Sequence, residues 1–203
     1  MALNPDLVLT DGHSEGIKQL DSLGIALLVI DPKDFDGIFR DIELIGQATG
    51  TEARAKKLAD QMKADIARIT NRVKGAQKVK AFYVIDATDL NNPWTAGPGS
   101  FIDSLINMAG GENVAGKAVV PWPQFSIEQL VNADPEVIIL PAKHGTAFTA
   151  PEVLQGHPVW RQITAVKQGQ IHTIDSDLVD RYGPRIVQGL EKIARILHPE
   201  LFE

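Results

Sequence analysis

The sequence contains no cysteine among its 203 residues. This absence excludes disulfide bonds, thiolate zinc sites, iron–sulfur clusters and cysteine nucleophiles. It leaves the cellular compartment open, because a protein without thiols suits reducing and oxidising surroundings alike. The fold therefore depends on packing and hydrogen bonding rather than on covalent links between distant segments.

Long apolar runs and an excess of basic residues are also lacking. No run approaches the roughly 20 apolar residues that cross a bilayer. The 20 basic and 26 acidic residues give a formal charge of -6, and no Lys/Arg cluster indicates a nucleic-acid surface. The 44% hydrophobic and 23% charged content is typical of a globular domain. The composition thus predicts a globular protein that binds no nucleic acid.

The beginning of the sequence lacks the basic and apolar segments of a signal peptide. Residues 2–9 resemble residues 132–140, because both place an Asx-Pro pair before a short apolar run. Proline disfavours a helix at the preceding residue, and the run is typical of a buried parallel strand. A helical pattern over 126–131 precedes the second copy. Since its counterpart would lie before Met1, we expect the N-terminal lobe to be incomplete.

Helical and strand patterns alternate along the chain. Strands are predicted over residues 5–9, 25–30, 79–85, 137–140 and 171–174, and helices over 17–23, 34–49, 51–74, 100–109, 127–131, 158–163 and 184–197. The helix over 51–74 would be about 36 Å long at 1.5 Å per residue. Alternation of this kind indicates an α/β fold with parallel sheets.

The same pattern predicts how the chain is divided. We expect two Rossmann-like lobes joined by a long backbone helix. Residues 1–33 would be the remainder of the N-terminal lobe, residues 34–75 a helical linker that includes the backbone helix, and residues 76–203 the C-terminal lobe. Ligands of such sheets bind beyond the carboxyl ends of the strands, so the loops there are candidate binding elements.

Two tryptophans lie in such loops. Trp94 stands in the polar loop 86–99, and Trp122 stands between Pro121 and Pro123. An indole at a strand end can form a flat apolar wall for a ligand or cover the core of its own lobe. The prolines predict an extended backbone at Trp122. The loop before Ser100 does not have the glycine spacing of a phosphate-binding motif.

Arg181 and Tyr182 precede the last predicted helix, whose first turn would include Pro184. A guanidinium or phenol there could meet a carboxylate, a phosphate or a metal-bound oxygen. Arg181 could equally pair with the neighbouring acids Asp175, Asp177 and Asp180.

The five histidines lack the spacing of a zinc protease, and no nucleophile elbow is present. His13 and His144 follow the two repeated strands and could face each other across a cleft, or simply be solvated loop residues. The sequence therefore predicts no catalytic residues and no metal centre, with His13 retained as a candidate ligand contact.

Several segments carry a resemblance to a known family. They are residues 93–97, 109–114 and 120–124, with Ser126, Glu128-Gln129, Asp180-Arg181 and Pro184-Arg185. Through them nearly the whole chain resembles the class III periplasmic binding proteins of ABC importers, which serve cobalamin, siderophores and haem. Within that family the resemblance is greatest to the cobalamin-binding members.

The resemblance implies two lobes bridged by a long helix, with the ligand between them. Trp94 and Trp122 would wall a corrinoid or iron chelate, with Arg181 in contact, and Glu128 would dock to arginines of the permease. No cofactor is implied beyond that ligand. The partners would be an ABC permease and ATPase, and the location periplasmic or membrane-anchored outside the cytoplasm.

Other interpretations stay open. Asp11, Gly12 and His13 stand where the cobalamin-binding protein carries a tryptophan, so haem, an iron chelate or an oxyanion also fits. A metal chelatase using His13 or His144 is an enzyme on a similar scaffold. An incomplete sheet also predicts self-association, because it leaves an edge and an apolar face uncovered.

Overall fold

The computed structural model describes residues 5–13, 16–143, 146–147 and 149–203. The chain forms two compact units, residues 1–61 and residues 62–203. The boundary falls inside the segment 34–75 that the sequence pattern assigns to a helical linker. Residues 1–4, which include Asn4 of the first Asx-Pro pair, lie outside the described residues.

The first unit contains the predicted strand–helix–strand element. Strand β1 (Leu7–Thr10) pairs in parallel with β2 (Ala26–Val29), and helix α1 (Gly16–Ser22) connects them. Gly24 adopts a φ of 72°, which lets the chain turn from the helix into β2. The parallel pairing confirms this part of the sequence prediction.

The two-stranded sheet of the first unit exposes large apolar side chains. Leu9 is 49% exposed and Val29 is 53% exposed. A short parallel pair leaves hydrogen-bonding edges as well, which favours association with another chain. Self-association stays a prediction.

Helix α2 (Phe35–Thr49) begins one residue after the predicted start and ends at the predicted residue. The Asp34 side chain caps its start by accepting a hydrogen bond from the Gly37 amide at 2.7 Å. Gly50 ends it in the left-handed conformation, with a φ of 65°.

Helix α3 (Glu52–Val73) is a single helix of 22 residues. At 1.5 Å per residue it is about 33 Å long, which confirms the prediction of one long helix. Met62, Ile69 and Val73 are buried as the spacing predicts. Leu58, one turn before Met62, is 39% exposed.

The second unit is built on a six-stranded mixed sheet. Its strands are β3 (Val79–Asp86), β4 (Trp94–Thr95), β5 (Gly111–Asn113), β6 (Val137–Lys143), β7 (Thr146–Ala147) and β8 (Ile171–Asp175). The parallel strands lie in the order β5, β3, β6, β8. Strands β4 and β7 pair antiparallel with the carboxyl ends of β3 and β6. The predicted α/β class is confirmed.

Five α-helices complete the second unit over the residues that the structure describes. They are α4 (Phe101–Met108), α5 (Ile127–Ala133), α6 (Pro151–Gly156), α7 (Thr164–Lys167) and α8 (Ile186–Leu197). The predicted helix over 158–163 is only a 3-10 turn at Trp160–Gln162, between two helices that the pattern missed. In the described part of the chain, no helix combines the length and the apolar character needed to span a bilayer.

Two predicted boundaries were wrong for local reasons. Helix α8 begins at Ile186 rather than at Pro184. A turn precedes it, in which the Ile186 amide donates a hydrogen bond to the Gly183 carbonyl. Strand β6 continues through Pro141, where the sequence predicted its end. Its pairing with β8 extends to Ala142 and holds the proline in the sheet.

The core of the second unit lies on both faces of β3 and β6. Phe82 and Ile138 belong to a cluster closed by Leu130 of α5, Leu154 of α6 and Trp160. The Trp160 indole is fully buried and donates to the Leu90 carbonyl at 2.8 Å. Outside this cluster, α4 packs against α8, and α8 packs against β8.

Candidate functional site

The strand order creates a crevice at the carboxyl ends of β3 and β6. The chain leaves β3 through α4 toward β5, whereas it leaves β6 through α6 and α7 toward β8 on the opposite side. Neighbouring parallel strands whose connections diverge leave a crevice between them, where ligands of open α/β sheets bind. The topology of the second unit alone therefore identifies one site.

The two tryptophan loops are hydrogen-bonded to each other beside this crevice. The Thr95 amide donates to the Pro123 carbonyl at 3.0 Å, and the Gly97 amide donates to the Pro121 carbonyl at 2.8 Å. A Cβ atom at Gly97 would lie 2.7 Å from the Val120 carbonyl oxygen, so the close approach requires glycine. The loops thus hold Trp94 and Trp122 as neighbours.

A pocket of about 350 Å³ opens between these loops and the sheet. Tyr83 and Ile85 of β3 and Pro141 of β6 form its base, and both Trp94 and Trp122 line it. The indoles remain 43% and 45% exposed, so they do not serve as core of the second unit. Their placement agrees with the predicted apolar wall. The backbone bends through residues 119–122, so the predicted extended stretch at Trp122 was wrong.

Tyr182 also lines the pocket, as the sequence suggested. Its ring stacks on Phe101 at the start of α4, with the ring centroids 3.9 Å apart. Three aromatic side chains from three loops therefore surround one opening. Such surfaces bind flat apolar groups through contact area, since an aromatic ring loses little conformational freedom on binding.

Arg181 does not line the pocket. Its Nε donates to the Asp177 carboxylate at 2.7 Å, which is the alternative that the sequence left open. The role of Arg181 as a ligand contact stays a prediction. The two residues lie four apart in the sequence, and Asp177 belongs to the 3-10 turn Ser176–Leu178, so the chain places their side chains within reach of each other.

Asp180 lines the pocket instead of its neighbour. Asp180 as a residue is exposed to solvent, yet enough protein atoms surround its carboxyl for desolvation to be the largest influence on its pKa. Burial raises the pKa of Asp180 to about 6; the Asp177 carboxylate adds to the rise, and Arg181 opposes it. The pocket therefore contains an acid that titrates near neutrality.

Tyr83 brings a second polar group to the base of the pocket. Its side chain is 1% exposed, and its hydroxyl has no hydrogen-bond partner among the residues that the structure describes. Burial raises the pKa of Tyr83 well above its usual value, and the Asp180 carboxylate adds to the shift. Both shifts reflect polar groups held in apolar surroundings without full compensation.

Asp180→Asn is expected to raise the melting temperature at pH 7.5. The pKa of Asp180 is about 6 in the folded chain against its usual 3.8, so the folded state binds the proton more tightly. The stabilisation from protonated Asp180 is complete below pH 3.8 and disappears as the pH rises through about 6. Asparagine cannot ionise, so the variant should gain most at pH 7.5 and little at pH 4. Thermal melts monitored by circular dichroism measure the difference.

Asp177→Asn provides the control with the opposite sign. The Arg181 hydrogen bond lowers the pKa of Asp177, so the ionised form stabilises the fold above the usual Asp value. This variant should melt below the parent at pH 7.5. An Asp180→Asn chain that melts below the parent at pH 7.5 would contradict the assigned environment.

His13 lies in the first unit, where its Nε2 is 3.2 Å from an Asp31 carboxylate oxygen. Lys33 holds the same oxygen at 2.6 Å. Its role as a ligand contact stays a prediction, and His144 lies outside the described residues. Within the described ranges, the structure places no three His, Asp or Glu side chains together as metal ligands.

Glu128 occupies the first turn of α5 and is exposed. Ser126 and Gln129 form a reciprocal capping box at this helix end, which fixes the backbone beneath Glu128. At Ser100 only half of a similar box forms, in which the Ser100 side chain accepts from the Asp103 backbone amide. The Asp103 carboxylate instead accepts a hydrogen bond from the side-chain amide of Asn113 at 2.7 Å. Glu128 is thus an exposed acid on a well-capped helix turn, and its docking role stays a prediction.

The segment 109–114, which carried part of the resemblance, has a structural role. Gly111–Asn113 form β5, and a Cβ atom at Gly110 would lie 2.7 Å from the His198 ring. The side-chain amide of Asn113 also donates a hydrogen bond to the Ala96 carbonyl at 2.8 Å. This bond ties the Trp94 loop to the sheet, so the motif supports the site without lining it.

The comparisons with known proteins agree with this geometry. The family model described as periplasmic binding protein matches residues 1–178. The chain belongs to the periplasmic binding protein family.

Relatives of this family differ in what their names say they bind. The chain is 32% identical over 210 residues to the uncharacterized ABC transporter substrate-binding lipoprotein YvrC of Bacillus subtilis, covering 100% of this chain and 65% of that protein. It is 28% identical over 200 residues to the vitamin B12-binding protein of Salmonella typhimurium, covering 97% of this chain and 71% of that protein. The chain thus spans about two thirds of the length of these relatives.

A solved structure shows the same fold. The periplasmic heme-binding protein RhuT from Roseiflexus sp. RS-1, in its apo form, superposes with a TM-score of 0.86 at 25% identity. The match covers 99% of this chain and 78% of that protein. Relatives named for vitamin B12 and for haem therefore share one fold, and the fold alone does not select the ligand.

Sequence reasoning missed the two polar groups of the pocket. Tyr83 falls within a buried strand pattern, where its hydroxyl gave no separate signal. Asp180 was considered as an arginine partner and as part of a resembling segment, but not as a residue of the pocket. Its position in a loop beyond a strand end was the available clue, but which neighbour paired with Arg181 depended on the turn at 176–178.

Proposed function

We propose that this protein is the substrate-binding component of an ABC importer, and that it captures a metal chelate without catalysing a reaction. The observation that carries this is a pocket at the diverging strand ends of the second unit, walled by the exposed indoles of Trp94 and Trp122. Names of relatives such as vitamin B12-binding protein support a binding role over a chelatase. A location outside the cytoplasm follows from the same proposal.

The proposed ligand is a corrinoid or an iron chelate such as haem or a ferric siderophore. These molecules present flat or bulky apolar faces, which suit a wall of aromatic rings better than they suit a charged cleft. No further cofactor is needed, because capture depends on shape and contact area. The partners would be the permease and the ATPase of the importer.

Isothermal titration calorimetry tests the proposed function. We expect at least one of cyanocobalamin, hemin and a ferric hydroxamate to bind the chain with one-to-one stoichiometry. The burial of apolar surface should give a negative heat-capacity change. Absence of heat and of tryptophan fluorescence quenching with all three chelates would contradict the proposal.

Glu128→Arg is expected to abolish stimulation of the transporter's ATPase while leaving chelate affinity within about twofold of the parent. The side chain is exposed on α5 and does not line the pocket. Reversing a charge at a docking surface places like charges against the permease arginines and weakens association. ATP hydrolysis in proteoliposomes that hold the permease and ATPase measures the effect.

Glu152→Arg is the matched control for Glu128→Arg. Glu152 is also an exposed acid in the first turn of a helix of the second unit. This variant should stimulate the ATPase as the parent does. Equal stimulation by Glu128→Arg and the parent would remove Glu128 from the docking surface.

A further inference from the structure

Aromatic rings and a negative charge meet in the pocket of the second unit. Trp94, Trp122 and Tyr182 line its wall, and their side chains are 43%, 45% and 38% exposed. Among the described residues that line the pocket, Asp180 is the charged one. The rings therefore offer contact area that the core does not use, beside a carboxylate.

The charge of Asp180 is not matched by a partner in the described part of the chain. There it makes no ion pair and accepts no side-chain hydrogen bond. Arg181, the adjacent cation, donates from its Nε to Asp177 at 2.7 Å. The positive charges of Lys143 and Arg185 act on Asp177 as well. A positive group that balances Asp180 is thus left for a ligand to supply.

An aromatic wall beside a carboxylate suits an organic cation. Ring faces attract an ammonium group within about 6 Å of the ring centre, and this attraction grows when water is displaced. The pocket volume of about 350 Å³ is at the small end for ligand pockets, so it holds a side group of a large chelate rather than the whole molecule.

We propose that the three aromatic rings of the pocket and Asp180 form a cage for an alkylammonium group, through which the protein selects a chelate that carries a protonated amine. The ammonium donates to the Asp180 carboxylate, and its methylene groups contact the rings. An acidic side group would meet a like charge there. This inference rests on the proposed capture of a metal chelate and adds the chemical class of the group that the pocket receives.

The cage has a pH dependence that follows from the groups around Asp180. Burial raises the pKa of its carboxyl to about 6, Asp177 adds to the rise, and Arg181 opposes it. The Tyr83 phenol at the base stays protonated, because burial raises its pKa well above the usual value. The attraction of Asp180 for an ammonium is therefore present above about pH 6 and is lost as the pH falls through that value.

Two ferric hydroxamates that share one iron-binding core test the cage by calorimetry. Ferrioxamine B carries a pendant amine, which stays protonated at pH 5 and pH 7.5 because alkylamines titrate near pH 10. N-acetyl ferrioxamine B carries a neutral amide in its place. At pH 7.5 the parent should prefer ferrioxamine B about tenfold, and at pH 5 about twofold or less. Asp180→Asn should show the smaller preference at both pH values.

Trp122→Leu tests the contribution of the rings. Leucine keeps an apolar side chain at the wall but has no ring face to attract the cation, so the preference at pH 7.5 should fall about threefold. Glu152→Gln is the control, because it removes one exposed carboxylate that does not line the pocket. It should keep the preference of the parent.

The outcomes separate the cage from the proposed function. Equal binding of the two hydroxamates by the parent at pH 7.5, or a parental preference in Asp180→Asn or Trp122→Leu, would overturn the cage. A parent that binds cyanocobalamin or hemin but neither hydroxamate would also overturn the cage, with the transport role intact. Binding of none of these four chelates would overturn the proposed function itself.

Discussion

The double variant Trp94→Ala/Trp122→Ala is expected to bind its chelate about 100-fold more weakly than the parent, with little loss of stability. Buried aromatic contacts at binding sites are each worth about 2 kcal/mol or more when truncated, which is more than tenfold in affinity. The indoles are 43% and 45% exposed without ligand, so their removal takes little from the core. Calorimetry measures the affinity, and urea unfolding measures the stability.

Val153→Ala is the control for loss of exposed apolar surface. Val153 lies on α6, is 46% exposed and does not line the pocket. Its affinity for the chelate should match that of the parent. A double tryptophan variant that binds as tightly as the parent would exclude the aromatic wall as the binding surface.

Trp160→Ala is expected to lower the free energy of unfolding by about 3–5 kcal/mol. The Trp160 side chain is fully buried in the core of the second unit, with its ring centroid 6.4 Å from that of Phe82. Truncation leaves a large cavity and also removes the hydrogen bond to the Leu90 carbonyl. Chemical denaturation followed by circular dichroism measures the change.

Trp160→Phe separates the two contributions. This variant keeps a ring in the core but leaves the Leu90 carbonyl without its donor, so a loss of about 1–3 kcal/mol is expected. Val119→Ala, at a side chain that is 98% exposed, should change stability by less than about 0.5 kcal/mol. Parental stability in Trp160→Ala would contradict the assigned core.

The sequence was most informative where local chemistry acts alone. The apolar run Val79–Asp86 reads as a strand because both of its faces are buried, and it forms β3. Asp34 and Gly50 place the ends of α2 because a side-chain acceptor and a left-handed residue satisfy the terminal backbone groups. The sequence was less informative near residue 160, where short helical turns depend on packing against the sheet.

The sequence by itself determined the α/β class, the long helix α3 and the presence of aromatic rings beyond strand ends. Periodicity and end-capping decide these features within a few residues of each position. Only the tertiary structure decided that Asp180 rather than Arg181 lines the pocket, and that the Tyr83 hydroxyl is buried without a hydrogen-bond partner in the described part of the chain. These contacts join Tyr83 on β3 to a loop about 100 residues later in the chain. Burial and pairing at that distance depend on how the strands are ordered in the sheet, which no local pattern specifies.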